Sequence, residues 1–304
     1  MKNDTYEKIY YELYEVVREA LSLNIVVDRI KGSVQIITEE FTKNPYNELL
    51  LYFYTQSKEN YLNAHITNNV ILALGFGRSL SLSQEDLFNL GLCAFAHDIA
   101  MAEYLPLFQK GGNLSDEETR LIRNHTKNSA DIFQPYFPEK VIQGILDTHE
   151  QVDGGGYPEG KTGMEISLLA KIVSICDVFE ALTHVRNFRA QLNPYEAIKL
   201  IIQKKDIVFD GMIVNRFVDF LSIYPVGTLV HLNTGEIALV VGSNLGFPTR
   251  CICKVLLNAQ REPQVPDKFH DLLQNKMIYV TEALNNRQEQ EVEELLNPRS
   301  TIQL

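Results

Sequence analysis

The chain of 304 residues lacks several features that would assign it to a class at once. It has no apolar run of bilayer length, and its first residues, MKNDTYEKIYYELYE, are charged where a signal peptide would be apolar. Acidic residues outnumber basic ones, 39 to 28, and the net charge of −11 argues against a protein that binds nucleic acid through a basic face. We therefore expect no membrane segment and no DNA partner.

Cysteine is also scarce. The chain has four cysteines, and all of them lie in apolar stretches without the spacing of a disulfide framework: Cys93, Cys176, Cys251 and Cys253. Cys251 and Cys253 would share one face of a strand, but no second pair is present to complete a zinc site. We expect reduced, buried thiols in a cytoplasmic protein.

The apolar residues that are present follow two different periods. Helical spacing prevails up to about residue 223, and β-rich runs such as GTLVHL and EIALVVG, joined by the hairpin signal NTG, come after it. RCICKVLL and KMIYVTE supply two more predicted strands. We predict four regions: a helical N-terminal region at 1–58 for packing, dimerisation or signal input, a helical domain at 59–223, a small β-rich cap at 224–284 and a polar tail at 285–304.

Start signals support several of the predicted helices. Ser83 precedes a helix predicted at 84–101, and Ser115 with Glu118 fits a capping box before a helix predicted at 116–134. A further amphipathic helix is predicted at 46–57.

The run LCAFAHDIAM at 92–101 is the first sign of chemistry. It is an apolar helical segment that carries His97 and Asp98 side by side. A buried carboxylate is costly unless its charge is compensated, and two divalent cations that share one carboxylate would compensate it. Because consecutive helical side chains diverge by about 100°, one ion can bind His97 while Asp98 bridges to a second.

Asp177 raises the same question in a second apolar helix, KIVSICDVFEAL. Taken alone, it could pair with an arginine in the core. Two such costly residues in two apolar helices make a shared metal the simpler explanation. The glycine-rich segment THEQVDGGGYPEGKTG at 148–163 then ends a helix at His149 and Glu150, and Tyr157-Pro158 indicates a shaped loop beside a site.

These segments resemble the HD-GYP family in order and approximate spacing. HDIAM, His125-Thr126, HEQVDGGGYP and ICDVFEALTHVRNFR match its motifs over about residues 60–223. The resemblance implies a mainly α fold, an all-helical HD-superfamily bundle with a helical N-terminal region and a small C-terminal β appendage. It also implies a phosphodiesterase that hydrolyses cyclic di-GMP to pGpG or GMP with a water activated by two metal ions, His97 and Asp98 being catalytic.

The resemblance further implies a site, residue by residue. One metal would be held by His65, His97, Asp98 and Asp177, and Asp98 would bridge to a second metal held by His125 and His149. Iron and manganese both suit such ligands. The GYP signature and basic positions would contact the substrate or shape the loop, and these are Asp153, Gly154, Gly156, Tyr157, Pro158, Lys171, Arg186 and Arg189. In this family the loop is also linked to diguanylate cyclase domains, so such a domain is a candidate partner, as is a second copy of the chain.

Three positions depart from the family pattern. Thr148 stands where a second histidine is typical, Met101 where many members have lysine, and Tyr61 where some have a glutamate that supports a third metal. His184 cannot replace the lost ligand, because it lies about 10 Å along the helix axis from Asp177. Two alternatives therefore stay open beside the enzyme: a degenerate member that binds nucleotide or a protein partner, and an HD phosphohydrolase acting on mononucleotides.

Overall fold

The computed structural model describes residues 4–43, 49–50, 60–109, 114–184, 192–244 and 246–296. Apart from residues 49 and 50, the predicted helix at 46–57 lies outside these ranges, and so do Arg186 and Arg189. The described chain is mainly helical with one small antiparallel sheet, which confirms the expected fold class. Its residues divide into two compact units, one within Met1–Gln191 and Lys204–Ile213, the other within Leu192–Gln203 and Val214–Leu304.

The first unit is a helical bundle. Helices α3, α4, α8 and α9 pack against one another, and α1 and α2 pack on α3 and α4 through buried residues such as Leu13 and Phe41. The bounds of its helices are α1 Asp4–Leu21, α2 Val27–Lys43, α3 Tyr61–Ser79, α4 Gln84–Ala96, α5 Leu105–Gln109, α6 Asp116–Arg123, α7 His125–Phe133, α8 Glu139–Asp147 and α9 Leu168–Thr183.

Two predicted helices are interrupted in the structure, and both breaks lie at candidate ligands. The helix expected at 84–101 ends at Ala96, and a 3₁₀ turn begins at Ile99. Asp98 lies between them with φ −112° and ψ 8°, which are not helical values. The side chains of His97 and Asp98 therefore need not point about 100° apart, as they would in a regular helix. The helix expected at 116–134 divides at Asn124, directly before His125. The predicted caps at Ser83 and Ser115 are present, the latter as a full capping box.

The second unit contains α10 (Pro194–Gln203), most of α11 (Gly211–Leu221) and the sheet. The strands are β1 Leu229–Leu232, β2 Ile237–Gly242, β3 Ile252–Leu257, β4 Pro263–Asp271 and β5 Val280–Ala283, in the order β4-β3-β2-β1-β5. The hairpin predicted at NTG joins β1 to β2, where Gly235 has φ +83°. A final helix, α12 (Asn286–Leu296), buries Val292 against Leu229, Ile237 and Leu257. One side chain of the polar tail predicted at 285–304 is therefore buried.

Candidate metal centre

Six side chains from five parts of the bundle converge on one place. His65 lies on α3, His97 and Asp98 follow α4, His125 begins α7, His149 follows α8 and Asp177 lies on α9. They form two groups, each with its ligand atoms within 4.8 Å of one another: His65, His97, Asp98 and Asp177, and Asp98, His125 and His149. The structure thus brings together all six residues predicted to hold metal; their role as ligands stays a prediction.

The two oxygens of Asp98 face different groups. Oδ2 lies 3.6 Å from Nε2 of His65 and 3.7 Å from Nε2 of His97. Oδ1 lies 3.2 Å from Nε2 of His125 and 3.8 Å from Nε2 of His149. Asp177 belongs only to the first group, where its Oδ1 lies 2.9 Å from Nε2 of His65. Asp98 therefore has the arrangement of a bridging carboxylate.

Three of the imidazoles are oriented by hydrogen bonds on the side away from the centre. Nδ1 of His97 donates to the carbonyl of Ala94 at 2.9 Å, and Nδ1 of His125 donates to that of Ile122 at 2.7 Å. Nδ1 of His65 donates to the carboxylate of Glu180. Such bonds fix the tautomer and turn the Nε2 atoms toward the centre, as partners of metal-binding histidines do.

The chemistry of this cluster fits a pair of divalent ions. Asp98 Oδ1 and His125 Nε2 are fully buried and, within the described residues, neither has a hydrogen-bond partner. Burial would raise the pKa of Asp98, but the imidazoles of His97, His125, His149 and His65 hold it well below its ordinary value. The carboxylate thus stays ionised among inward-facing imidazoles, which is the donor set that a transition metal prefers.

Glu180 is the centre of a buried network behind His65. Besides that ring, it accepts hydrogen bonds from Nδ1 of His184 at 2.5 Å and from Nδ2 of Asn68 at 2.9 Å. Burial would raise the pKa of Glu180, but His65 and His184 lower it to about 2. His184 is thus a partner of Glu180 rather than a member of either group, in agreement with the argument from helix geometry.

Hydrogen bonds to one buried carboxylate hold the glycine-rich loop in its conformation. Glu150 accepts hydrogen bonds from the backbone N–H groups of Glu159 (2.7 Å), Gly160 (3.1 Å) and Lys161 (2.9 Å). Gly156 passes so close to this anchor that an added Cβ would lie 2.5 Å from Cα of Glu150. Two more positions of the loop, Gly154 (φ +82°) and Gly160 (φ +70°), adopt the left-handed region that favours glycine.

The loop positions Tyr157 over the second group. Its ring stacks on His149 with centroids 5.1 Å apart and meets His125 edge-on at 6.3 Å. The guanidinium of Arg123, an exposed residue at the end of α6, lies 5.0 Å from the centroid of the Tyr157 ring. An exposed positive charge therefore lies against the aromatic ring that stacks on His149.

Comparisons with known proteins identify the family of the chain. The HD domain family matches residues 54–213, which is more than half of the chain. The chain belongs to the HD domain family. A second family, described as a KOW domain associated with the HD domain, matches residues 229–292 and so covers the sheet and part of α12.

Several relatives are similar to this chain in sequence. A cyclic di-GMP phosphodiesterase of Pseudomonas aeruginosa is 32% identical over 253 residues, 81% of this chain and 58% of that protein. A 3'3'-cGAMP-specific phosphodiesterase of Vibrio cholerae is 28% identical over 156 residues, 51% of this chain and 34% of that protein. A cyclic di-GMP phosphodiesterase of Borreliella burgdorferi is 27% identical over 185 residues, 60% of this chain and 48% of that protein. Together with the domain match, these relatives confirm the HD-GYP identification, and the chain spans only part of each of them.

The remaining predicted residues of the HD domain lie outside the two groups. Lys171, two turns before Asp177 on α9, pairs with Asp210 at 3.0 Å. Asp153 is exposed and accepts a hydrogen bond from the backbone of Gly155, and the exposed Pro158 follows Tyr157 in a cis peptide. Their contact with a substrate stays a prediction, as does that of Arg186 and Arg189, which lie outside the described residues.

The three departures from the family pattern take distinct places. The hydroxyl of Thr148 donates to the carbonyl of Gly144 at 2.9 Å and contacts the buried thiol of Cys93, so it is occupied within the core. Tyr61 stacks on His65 with centroids 5.4 Å apart. Met101 lies half-buried in the 3₁₀ turn after Asp98. The second group therefore offers three protein ligands and the first offers four.

Sequence reasoning missed four residues that surround the site: Asn69, Arg123, Glu150 and Glu180. Glu180 lies three residues after Asp177 on an apolar helix, so its burial could have been inferred from the same periodicity. Glu150 directly follows His149, but its contact with residues nine to eleven positions later depends on the loop conformation. No local pattern marks Asn69 or Arg123.

Proposed function

We propose that this chain hydrolyses the phosphodiester bonds of cyclic di-GMP, giving pGpG, GMP or both. The observation that carries the proposal is the division of the Asp98 carboxylate between two buried groups of inward-facing imidazoles. A single structural ion would need only one of these groups. Two groups that share an acid are typical of sites that hold a pair of ions for hydrolysis of a phosphate ester.

Each of the two groups would hold one ion. His65, His97, Asp98 and Asp177 would hold one and Asp98, His125 and His149 the other, with iron or manganese as the candidates. When bound, such a pair activates water and neutralises charge that develops on the phosphate. Asp98, which stays ionised, would bind both ions through its two oxygens. The hydrogen bonds from Nδ1 of His97 and of His125 keep the Nε2 lone pairs of both rings directed inward.

The residues around the groups give the centre its shape and charge. Tyr157 covers His149 and limits the access of water from that side. Arg123 lies against the Tyr157 ring, where its guanidinium would bind a phosphate oxygen of the dianionic dinucleotide. Local positive charge of this kind allows a chain of net charge −11 to bind an anionic substrate.

Product chromatography tests the proposal. Protein loaded anaerobically with Fe(II) or Mn(II) is incubated with cyclic di-GMP, and in parallel with 3'3'-cGAMP because one relative is specific for that dinucleotide. We expect metal-dependent formation of pGpG or GMP. Asp98→Asn keeps the shape of the side chain and should abolish turnover, while Asp131→Asn, an exposed residue on α7, is the matched control and should leave it unchanged.

A protein that retains two metals but gives no product would contradict the proposal. That result would favour the degenerate member, for which the three-ligand second group and the missing histidine at Thr148 are the relevant observations.

The same proposal includes a cytoplasmic location, a homodimer and a diguanylate cyclase domain that contacts the exposed part of the loop. The buried, unpaired thiols are consistent with a reducing compartment. No described helix is both long enough and apolar enough to span a membrane.

A further inference from the structure

A buried amide with an unused oxygen lies at the edge of the first group. Asn69 is one helical turn after His65 on α3, so the two side chains lie on one face of the helix. Its side chain is completely buried, and its Nδ2 lies 3.3 Å from Nε2 of His97. Its Oδ1 has no hydrogen-bond partner within the described part of the chain.

The contact with His97 cannot persist once a metal is bound. Because Nδ1 of His97 donates to Ala94, Nε2 carries the lone pair that accepts from the Asn69 amide. An ion on Nε2 uses that lone pair and leaves both ends of the buried amide unpartnered. A buried polar group in that state costs roughly 1–3 kcal/mol.

Rotation of the amide removes the conflict. The oxygen and nitrogen of an asparagine amide have almost the same shape, so a half-turn exchanges them without disturbing the packing. It would bring Oδ1 to about the present position of Nδ2, 3.3 Å from Nε2 of His97. Two atoms that bind one ion at about 2.1 Å each lie about 3 Å apart.

We propose that Asn69 binds the first metal through Oδ1, as a fifth protein ligand beside His65, His97, Asp98 and Asp177. The inference rests on the proposed two-metal function and adds a ligand to one of its sites. An amide oxygen is a hard ligand, so its presence favours manganese or ferrous iron over soft ions. It also makes the two sites more unequal, with five protein ligands against three.

The test measures metal binding to the full chain without substrate. Asn69→Leu removes the oxygen and keeps the volume, and Asn69→Asp supplies a carboxylate oxygen at the same place. Asn63→Leu is the matched control: Asn63 is also buried on α3 with both amide atoms unpartnered among the described residues, but lies two positions from His65 and so faces about 200° away. Competition with a chelator gives the affinity for Mn(II), and the visible spectrum with Co(II) reports the coordination number.

Asn69→Leu should weaken the tighter Mn(II) site by at least about 10–100-fold, because a direct ligand contributes no less than the groups that merely support ligands in other metal sites. It should also increase the visible absorption of bound Co(II), because fewer ligands give more intense bands. Asn69→Asp should bind Mn(II) at least as tightly as the wild type, and Asn63→Leu should match it. Circular dichroism of each variant confirms that it is folded.

Two results would overturn the inference. Asn69→Leu could retain wild-type affinity and spectrum, or Asn63→Leu could weaken the metal as much as Asn69→Leu, which would make the effect one of packing. Because no substrate is present, failure of the proposed function is separate: a protein that loses its first metal with Asn69→Leu but never hydrolyses cyclic di-GMP would support the ligand and contradict the reaction.

Discussion

Glu180 contacts Nδ1 of His65, on the side of the imidazole opposite the Nε2 atom that faces Asp177. The ring is held between two carboxylates, and only one of them belongs to the candidate metal centre. Glu180 would therefore act on a bound metal through His65, and its completely buried charge is balanced by donors from three residues.

Glu180→Gln should weaken metal binding on the order of 10-fold, because the neutral amide no longer increases the basicity of His65. Equilibrium dialysis against Mn(II) followed by elemental analysis measures the effect. Glu139→Gln, an exposed residue at the start of α8, is the control. Unchanged Mn(II) affinity in Glu180→Gln would show that Glu180 serves folding alone.

Gly156→Ala should destabilise the HD domain by about 1–3 kcal/mol or more, because the new methyl group would lie 2.4 Å from the backbone nitrogen of Gln151. Gly163→Ala is a sharp control within the same loop, since nothing lies within 4 Å of its added Cβ. Urea denaturation of both variants compares their unfolding free energies. Equal stability of the two would mean that the loop relaxes freely around residue 156.

Glu150→Gln should release the glycine-rich loop, because the amide has one acceptor oxygen where the carboxylate has two. We expect faster hydrogen exchange at the backbone amides of Glu159, Gly160 and Lys161, with unchanged protection along α9. Hydrogen-exchange mass spectrometry resolves the two segments. If the amides of 159–161 keep their protection, the three hydrogen bonds to Glu150 do not determine the loop conformation.

Arg123→Ala should raise KM for cyclic di-GMP roughly 10-fold with a smaller change in kcat, because a charge-assisted hydrogen bond contributes about 1.5–3 kcal/mol. Arg120→Ala, one turn earlier on α6 and bonded to the carbonyl of Asp116, is the matched control. Both variants lose the same charge, so a loss of long-range attraction would affect them equally and would disappear at high salt. Initial rates at several salt concentrations therefore separate this effect from a direct contact. Equal effects of the two substitutions would exclude a specific phosphate contact.

Glu236 should make the β-rich unit sensitive to acid. Burial would raise its pKa, but hydrogen bonds from Lys268, Thr234 and His270 lower it below the ordinary 4.5. Its stabilising contribution is therefore complete above pH 4.5 and is lost as the pH falls through the lowered folded-state pKa. The unfolding free energies of wild type and Glu236→Gln should differ at pH 7 and converge toward pH 3. A difference independent of pH would assign the effect to shape rather than charge.

The six candidate ligands could be named in advance because the family resemblance supplied the full set, and three of them also leave a signal in the sequence itself. His97 and Asp98 are conspicuous in an apolar helix, and Asp177 repeats the signal in another. The break after Ala96 was not predictable, because the apolar pattern continues through Ile99 without a helix-breaking residue. The supporting residues were not predicted because their contacts join distant parts of the sequence. Asn69 contacts His97, 28 positions away, and Glu180 contacts His65, 115 positions away.

In the β-rich unit, too, some elements could be predicted from the sequence and others could not. Four strands carry β-branched, apolar runs and were predicted. Strand β4 was missed because it contains Pro263 and Pro266 and is largely exposed, as an edge strand can be. Helix α12 is polar apart from Val292, Leu295 and Leu296, so the burial of Val292 became evident only from the strand residues that it contacts.

The segment 204–213 belongs to the first unit although the chain has by then passed through α10 of the second. Its carbonyls at Ile207 and Val208 accept hydrogen bonds from the backbone of Asp153 and Val152 at the start of the glycine-rich loop. A C-terminal deletion that stops after α9 would therefore remove the pairing partner of that loop while leaving all six candidate ligands in place. We therefore expect a polypeptide that keeps this loop in place to extend to about residue 213, more than thirty residues beyond Asp177, the last candidate ligand.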